Sequence, residues 1–429
     1  MMKPGPAADI VFSGKAPVRG LPAGRQVWGN IDIYAARLLM LSFFLPEKLQ
    51  ALTVMVSGLY FVVRSVRSKE PVPGSNYLWA LAISSFYLLY LLAVPFTPHE
   101  YRHFLSLLCQ QKASLLLMPF VFAITAQSFR TLIAGELIYL VYGCVASCIV
   151  GNADFAWHIW RAKEAAHSLS HVQYRVMFER STGIHPTYMS MFLAFSVCIT
   201  LLAAPFKGIL KYLLVYALLI FLLALLAKSP IIALVVILFH YAYVNRKGLY
   251  RYKLVFLGLL TSLAAACFFI PFIGQRVKEV FQFAGVGKPG NVMDNSVYVR
   301  KLIWTVDTGL LRHYWLTGIG PGRVLQVLHE RYFFYSVTNH FFVGYFDPHN
   351  EYFSEWLSFG ILGFLLFLSV LILHAVKALR TKNYLYQYLL TILFITFSTE
   401  TLLSRQEGVL FFSVFTSLFF FCSKPSGST

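Results

Sequence analysis

Long apolar runs separated by short basic loops dominate this chain. A helix needs roughly 20 apolar residues to cross a bilayer, and twelve runs are candidates for such helices. They lie at approximately 32–45, 49–64, 77–95, 106–127, 131–151, 186–204, 208–226, 229–245, 252–272, 353–376, 384–399 and 407–422. The pattern predicts an all-α polytopic membrane protein with about 12 transmembrane helices.

The stretches around these runs complete the predicted organisation. In chain order the segments are 1–30 (disordered cytoplasmic tail), 31–272 (spans 1–9), 273–352 (large periplasmic loop between spans 9 and 10), 353–422 (spans 10–12) and 423–429 (cytoplasmic tail). The first tail is rich in Gly and Pro and predicts no cleavable signal peptide. Residues 152–185 are predicted as an interfacial periplasmic segment, with an amphipathic helix over 155–180.

Composition and charge agree with a membrane protein and set its orientation. Charged residues are 13% of the chain, against roughly 25% in soluble domains, and the net charge is +18. Basic residues cluster in alternate short loops, which places both termini in the cytoplasm. The opposite-face segments 152–185 and 273–352 are basic as well, against that rule. Anion binding is the favoured explanation; the alternative is that long loops cross the membrane regardless of charge.

The motif RSTGIHPTY at 180–188 stands at the outer mouth of the sixth span. Pro186 suits the first turn of that helix and leaves backbone N–H groups that favour a phosphate. The planar guanidinium of Arg180 matches phosphate oxygens. The alternatives are that His185 caps the helix and that Arg180 anchors lipid headgroups.

Two further charged residues lie at outer ends of spans. Lys228 begins the eighth span, where it could bind an anion or simply extend its ammonium to the headgroups. Glu400 ends the eleventh span, where it could position a basic residue of a site or cap the helix. The glycine-rich run at 318–323 predicts a tight turn; a nucleotide-binding loop lacks the strand–loop–helix context that it requires.

The large loop carries a cation and a candidate base. Arg300 opens a predicted interfacial helix on which Arg300, Ile303, Trp304 and Asp307 lie on neighbouring rows. The loop ends in a second motif, DPHNEY at 347–352. In it His349 is flanked by polar side chains that could support it, Asp347, Asn350 and Glu351. A histidine in such surroundings can exchange a proton with a bound substrate.

The six cysteines mostly fall inside apolar runs, and no pair has metal-ligand or redox spacing. We expect no structural disulfide, no metal site and no cofactor. Membrane lipids are expected partners, and a nucleic acid is not.

Taken together, these blocks resemble the O-antigen ligase and polymerase superfamily of bacterial envelope glycan enzymes. The matching blocks are 180–188, 300–322 and 348–363, with a closing segment at 400–409 similar to endings in some ligase branches. The resemblance covers roughly residues 75–420, and lipopolysaccharide O-antigen ligase is the best-matching type. Family members often carry Ser-Arg where this chain has Lys228-Ser229.

The resemblance implies an inverting, metal-independent glycosyltransferase in the bacterial inner membrane, with its active site facing the periplasm. Such an enzyme moves a glycan from undecaprenyl pyrophosphate to a hydroxyl of lipid A-core. The residues implied to hold the pyrophosphate are basic, namely Arg180, Arg300 and Lys228. His349 would accept the proton of the acceptor hydroxyl, oriented by Asp347 or Glu351.

Several alternatives stay open. A repeat-unit polymerase transfers to another carrier-linked repeat, and a protein oligosaccharyltransferase is a third relative; the motifs do not separate these enzymes. From a different class, a transporter would usually show related halves and interrupted mid-membrane helices. A lipid-linked glycan flippase would show cationic residues at mid-membrane depth. Here the polar residues gather at one face, which favours an enzyme.

Overall fold

The computed structural model describes residues 29–162, 171–203, 205, 209–244, 258, 261, 296–339 and 346–423. Within these residues every regular element is an α-helix or a 3₁₀-helix, and they contain no strand. The all-α class is therefore confirmed for this part of the chain. Most of the ninth apolar run, most of both tails and the loop residues 273–295 lie outside the described residues.

The helices before residue 245 are α1 (Asn30–Leu41), α2 (Glu47–Ser68), α3 (Ser75–Ala93), α4 (His99–Lys112), α5 (Ser114–Ile124), α6 (Gln127–Gly135), α7 (Ile138–Ala162), α8 (His171–Thr182), α9 (Pro186–Leu202), α10 (Ile209–Leu225) and α11 (Lys228–Val244). Those after residue 295 are α12 (Ser296–Tyr314), α13 (Val324–Asn339), α14 (Glu351–Arg380), α15 (Tyr384–Phe397) and α16 (Gln406–Cys422). Short 3₁₀-helices occupy Ser42–Phe44 and Leu402–Ser404.

Five helical stretches of the described residues are long and apolar enough to cross a membrane: Glu47–Ser68, Ser75–Ala93, His99–Ile124, Gln127–Arg161 and Glu351–Arg380. A bent pair, α8 with α9, would be a sixth, and four shorter apolar helices are α10, α11, α15 and α16. The chain is thus a multi-pass membrane protein, and the number of twelve spans stays a prediction.

The predicted amphipathic helix over 155–180 differs in the structure. Residues up to Ala162 extend α7, which begins at Ile138, and α8 begins only at His171. The reason is local: helix-forming residues continue beyond the apolar run, so nothing ends α7 at the predicted boundary near residue 151.

Helices α9 and α16 form the centre of the bundle. Every residue of α9 from 186 to 201 is buried, and so is every residue of α16 from 407 to 421. Their contact is aromatic, with the rings of Phe192 and Phe411 4.9 Å apart. Nearer the helix starts, the Tyr188 hydroxyl donates to Leu402 O at 3.3 Å, so the N-terminal ends of the two helices lie beside each other.

Helix α14 is broken at Gly360, whose φ is +69°. The rings of Tyr352 and Phe367 lie 6.1 Å apart. Fifteen residues of straight helix would separate them by roughly 22 Å. The segment 351–359 therefore folds back beside the segment that follows the break.

The glycine-rich turn between α12 and α13 is docked against this break. The Ile319 N–H donates to Leu357 O at 2.6 Å, and the Ile361 N–H donates to Trp315 O at 2.9 Å. A Cβ on Gly360 would lie 2.1 Å from a carbonyl oxygen of the turn, so only glycine fits. The predicted tight turn is thus also a contact that attaches the α12–α13 pair to α14.

Candidate functional site

The candidate site lies where the chain before α14 meets the segment between α15 and α16. Asn350 joins the two. Its Oδ1 accepts from the Phe353 N–H at 3.1 Å, which caps α14, and its Nδ2 donates to Ser398 O at 3.1 Å. An asparagine at a helix N-cap satisfies an otherwise orphaned backbone donor. The same side chain therefore starts the helix and holds the neighbouring segment.

His349 adopts a left-handed backbone conformation, with φ of +45°. Its N–H donates to Asp347 Oδ1 at 3.0 Å, which stabilises this sparsely populated conformation. As a result the ring is directed at two carboxylates. Nδ1 lies 3.2 Å from Glu400 Oε2 and 3.6 Å from Asp347 Oδ1.

Glu400 is shared between His349 and Arg300. A guanidinium nitrogen of Arg300, Nη2, pairs with Glu400 Oε1, and Arg300 Nε donates to Thr399 O at 3.1 Å. On the other side Thr401 donates its hydroxyl to Asp347 Oδ2. We call Arg300, His349, Asp347 and Glu400 the Glu400 cluster.

The charges in this cluster act on one another. Burial alone lowers the pKa of His349, but the hydrogen bond and charge of Glu400, together with Asp347, raise that pKa above its ordinary value. Burial alone raises the pKa of Glu400, yet His349 and Arg300 lower it to about 2. Glu400 is therefore ionised at neutral pH and favours a proton on Nδ1 of the ring.

Helix α12 carries Arg300, and other residues of the same helix face contact neighbouring segments. Trp304 donates its ring N–H to Pro348 O at 3.1 Å. Asp307, one turn further, is buried and accepts from the Tyr332 hydroxyl at 2.8 Å. Burial raises the pKa of Asp307 to about 8. The residues predicted to lie on neighbouring rows of α12 thus have different contacts. Arg300 and Trp304 contact the site, and Asp307 contacts α13.

The motif before α9 approaches the cluster through His185. His185 caps α9, its Nδ1 accepting from the Thr187 N–H at 3.3 Å. Burial, followed by the charges of Arg405 and Arg175, lowers the pKa of His185 to about 3. The ring is therefore neutral at neutral pH. It serves as a cap, one of the two interpretations open from the sequence.

Arg180 is exposed on α8, and other arginines take the positions nearer the cluster. Arg175 donates to the Thr187 hydroxyl at 3.3 Å. Arg405 lies 3.6 Å from Glu179 and, with Arg175, acts electrostatically on His185. The sequence motifs do not single out Arg175 or Arg405; the only signal for Arg175 was the basic excess of the segment 152–185.

Lys228 and Glu351 lie on elements that border the Glu400 cluster. Lys228 is half-buried at the start of α11, and its neighbour Ser229 accepts from the Thr399 hydroxyl at 2.7 Å. Glu351 faces away from the imidazole, since its Oε2 accepts from the Leu403 N–H at 2.8 Å. Asp347 and Glu351 were the two carboxylates predicted to orient His349, and of these Asp347 lies near the ring. Glu400 lies closer to the ring than Asp347.

The arrangement can exchange a proton beside an array of cations. An imidazole with Nδ1 held by a carboxylate has Nε2 as its basic nitrogen. Arginines on two sides favour an anionic substrate. Such a site suits the attack of a hydroxyl on a centre whose leaving group is an anion.

Comparison with known families adds a separate observation. Residues 187–368 match the family model described as O-antigen ligase. The match contains Lys228, Arg300 and His349. Comparison with curated protein sequences gives no significant match. The resemblance of the sequence motifs to the O-antigen ligase and polymerase superfamily is therefore confirmed over residues 187–368.

Proposed function

We propose that this protein is an inverting, metal-independent glycosyltransferase of the O-antigen ligase type. It transfers O-antigen glycan from undecaprenyl pyrophosphate to a hydroxyl of lipid A-core at the periplasmic face of the inner membrane. The observation that carries the proposal is the shared contact of Glu400 with Arg300 and His349. This contact joins a cation and a candidate base from separate sequence motifs.

His349 acts as the general base in this proposal. Glu400 and Asp347 hold Nδ1, so that Nε2 accepts the proton of the acceptor hydroxyl as its oxygen bonds to the anomeric carbon. The imidazolium that forms is stabilised by the two carboxylates. A positioned general base contributes roughly 10²–10⁴-fold to the rate.

The cations act on the leaving group. The bond from the anomeric carbon to the phosphate oxygen breaks, and undecaprenyl pyrophosphate departs with the bonding pair. From the predicted set, Arg300 belongs to the Glu400 cluster, and Lys228 precedes Ser229, which binds Thr399. Arg175 and Arg405 add charge from the side of α8 and α16. Preorganised cations stabilise the negative charge that develops on the pyrophosphate. Attack opposite this group inverts the anomeric centre.

The test is transfer by the purified full chain in lipid nanodiscs, supplied with undecaprenyl pyrophosphate-linked O-antigen and lipid A-core. We expect glycosylated lipid A-core, with no change when a chelator or a divalent metal is added. Absence of product with a donor and acceptor that a known ligase accepts would contradict the proposal.

The lipopolysaccharide of a deletion strain separates the related enzymes. Loss of the whole long-chain ladder, while carrier-linked polymer accumulates, supports a ligase. Core carrying a single repeat would identify a repeat-unit polymerase. Accumulation of donor on the cytoplasmic face would identify a flippase.

A further inference from the structure

A second charged cluster lies inside the helix bundle and has no part in the chemistry proposed above. Lys112, at the end of α4, is 4% exposed. Its Nζ lies 3.0 Å from Glu355 Oε1 and 3.9 Å from Glu351 Oε1. The Tyr90 hydroxyl lies 2.8 and 2.7 Å from the two oxygens of Glu355. We call these four residues the Lys112 cluster.

The charges of this cluster depend on the lysine. Two buried carboxylates stand against one ammonium, which also lies 4.7 Å from the centre of the Tyr90 ring. Buried carboxylates without a cation are strongly unfavourable. A well-packed apolar cluster would stabilise the fold as well or better. The charges therefore point to a requirement for specific geometry at this place.

The Lys112 cluster is attached to both partners of the His349–Glu400 contact. Glu351 follows His349 by two residues in the chain. Its carboxylate accepts from the Leu403 N–H at 2.8 Å, three residues after Glu400. The side chain of Gln111, next to Lys112, donates to Ser404 O at 2.6 Å, in the 3₁₀-helix that also contains Leu403. The end of α4 thus holds the start of α14 and the segment that carries Glu400.

We propose that Lys112 is a positioning residue that holds Glu400 against the imidazole of His349. By pairing with Glu355 at 3.0 Å and lying 3.9 Å from Glu351, it keeps Glu351 in place to bind Leu403. The distance between the two reacting-site side chains is then set from inside the bundle. This inference rests on the proposed function, since its consequence is measured as glycan transfer.

The pH dependence of transfer reports this distance. The charged and titratable groups that face His349 are Glu400, Asp347, Arg300 and His185. Glu400 is the main group that raises the pKa of His349, after the opposing effect of burial. If Glu400 moves away, the pKa of His349 falls. The acid limb of the rate profile then moves to lower pH, since less base is needed to deprotonate the ring.

The experiment compares Lys112→Met with wild type in nanodiscs, using undecaprenyl pyrophosphate-linked O-antigen and lipid A-core. We expect kcat to fall by as much as ~100-fold, the effect of a misplaced catalytic group, with KM for the donor little changed. The acid limb should move to lower pH, as it also should in Glu400→Gln. Lys112→Arg, which keeps the charge, should retain the wild-type limb.

A matched control and a double variant separate positioning from folding. Lys211 is a partly buried lysine on α10, and its Nζ donates to Leu201 O at 2.6 Å. Lys211→Met should leave the pH profile unchanged. If Lys112→Met does not insert, the double variant Lys112→Met/Glu355→Gln also removes the charge of Glu355, the carboxylate nearer to Lys112. It should insert, with the limb still displaced towards lower pH, because Glu351 has lost its cation.

The outcomes are distinct. A wild type that transfers no glycan overturns the proposed function and this inference together. The positioning role alone is overturned if the wild type transfers glycan and folded Lys112→Met keeps both the wild-type kcat and the wild-type acid limb. It is also overturned if the acid limb of the double variant does not move.

Discussion

Two carboxylate–arginine clusters in this molecule differ in the groups around the carboxylate. Asp32 of α1 is buried and receives both nitrogens of a fork from Arg64, at 2.8 and 3.0 Å. The Tyr60 hydroxyl and the Gly29 N–H add contacts at 2.7 and 3.0 Å. These donors keep their protons at neutral pH. The cluster is a fixed joint between α1 and α2.

Glu400 also binds an arginine, but its second oxygen faces the imidazole of His349. Imidazole is the side-chain group whose ordinary pKa lies closest to neutral pH. The His349 side chain is 27% exposed, against 1% for Asp32. An arginine–carboxylate pair is therefore no mark of a site by itself. A titratable, accessible third partner is what distinguishes chemistry from structure.

The largest expected effect comes from removing that third partner. His349→Ala should insert normally, because the residue lies at a loop–helix junction, and should lose transfer by roughly 10²–10⁴-fold. Donor binding should survive, since the cations remain. Transfer and donor binding are measured separately with purified substrates. His349→Gln tests whether the ring only donates a hydrogen bond; substantial activity would exclude the base role, and normal transfer by His349→Ala would falsify the mechanism.

Removing the arginine from each cluster sharpens the comparison. Arg300→Ala should slow transfer roughly tenfold to a hundredfold, because a charge-assisted contact contributes about 1.5–3 kcal/mol. Arg300→Lys should retain only part of the activity, since lysine lacks the planar, two-pronged guanidinium of arginine. Arg64→Ala should lower thermal stability and leave the specific activity of folded protein unchanged. Equal effects of Arg300→Ala and Arg64→Ala on activity would remove the distinction.

A smaller effect separates two arginines of α8. Arg175→Ala should weaken use of the pyrophosphate donor about tenfold, the effect of one charge-assisted hydrogen bond. Arg180→Ala should weaken it less, because Arg180 is exposed whereas Arg175 reaches Thr187. The measurement is KM for the donor in both variants. A larger effect of Arg180→Ala would support the binding of the pyrophosphate by Arg180, which the sequence motif predicted.

The smallest effect concerns stability at Asp307. Its pKa is about 8 in the folded protein, above the ordinary value of 3.8, so the folded state holds the proton more tightly. Its contribution to stability is present below pH 3.8 and is lost as the pH rises through 8. In Asp307→Asn this dependence should vanish from thermal unfolding measured between these values. Parallel curves for variant and wild type would show that Asp307 is already ionised.

The sequence led to Arg300 and His349 because each stands in a motif at a loop–helix boundary. Most helices followed from their apolar runs for the same local reason. The reversal at Gly360 was not predictable in this way, since the surrounding run is apolar and helical on both sides of the break. Lys112 looked like an ordinary residue within one long run. Its carboxylate partners lie some 240 residues away in the chain, and only the tertiary structure brings the end of α4 to the start of α14.

The helices around the site are short, and this sets the thickness of membrane that the protein accommodates. Helix α15 has 14 residues and rises roughly 21 Å, against a hydrocarbon core of roughly 30 Å. Glu400 follows its end by three residues. Charged groups are costly among acyl chains, so we expect the bilayer to thin beside α15. This is a hydrophobic mismatch. Glycan transfer should therefore be slower in bilayers of longer acyl chains and faster in bilayers of shorter ones.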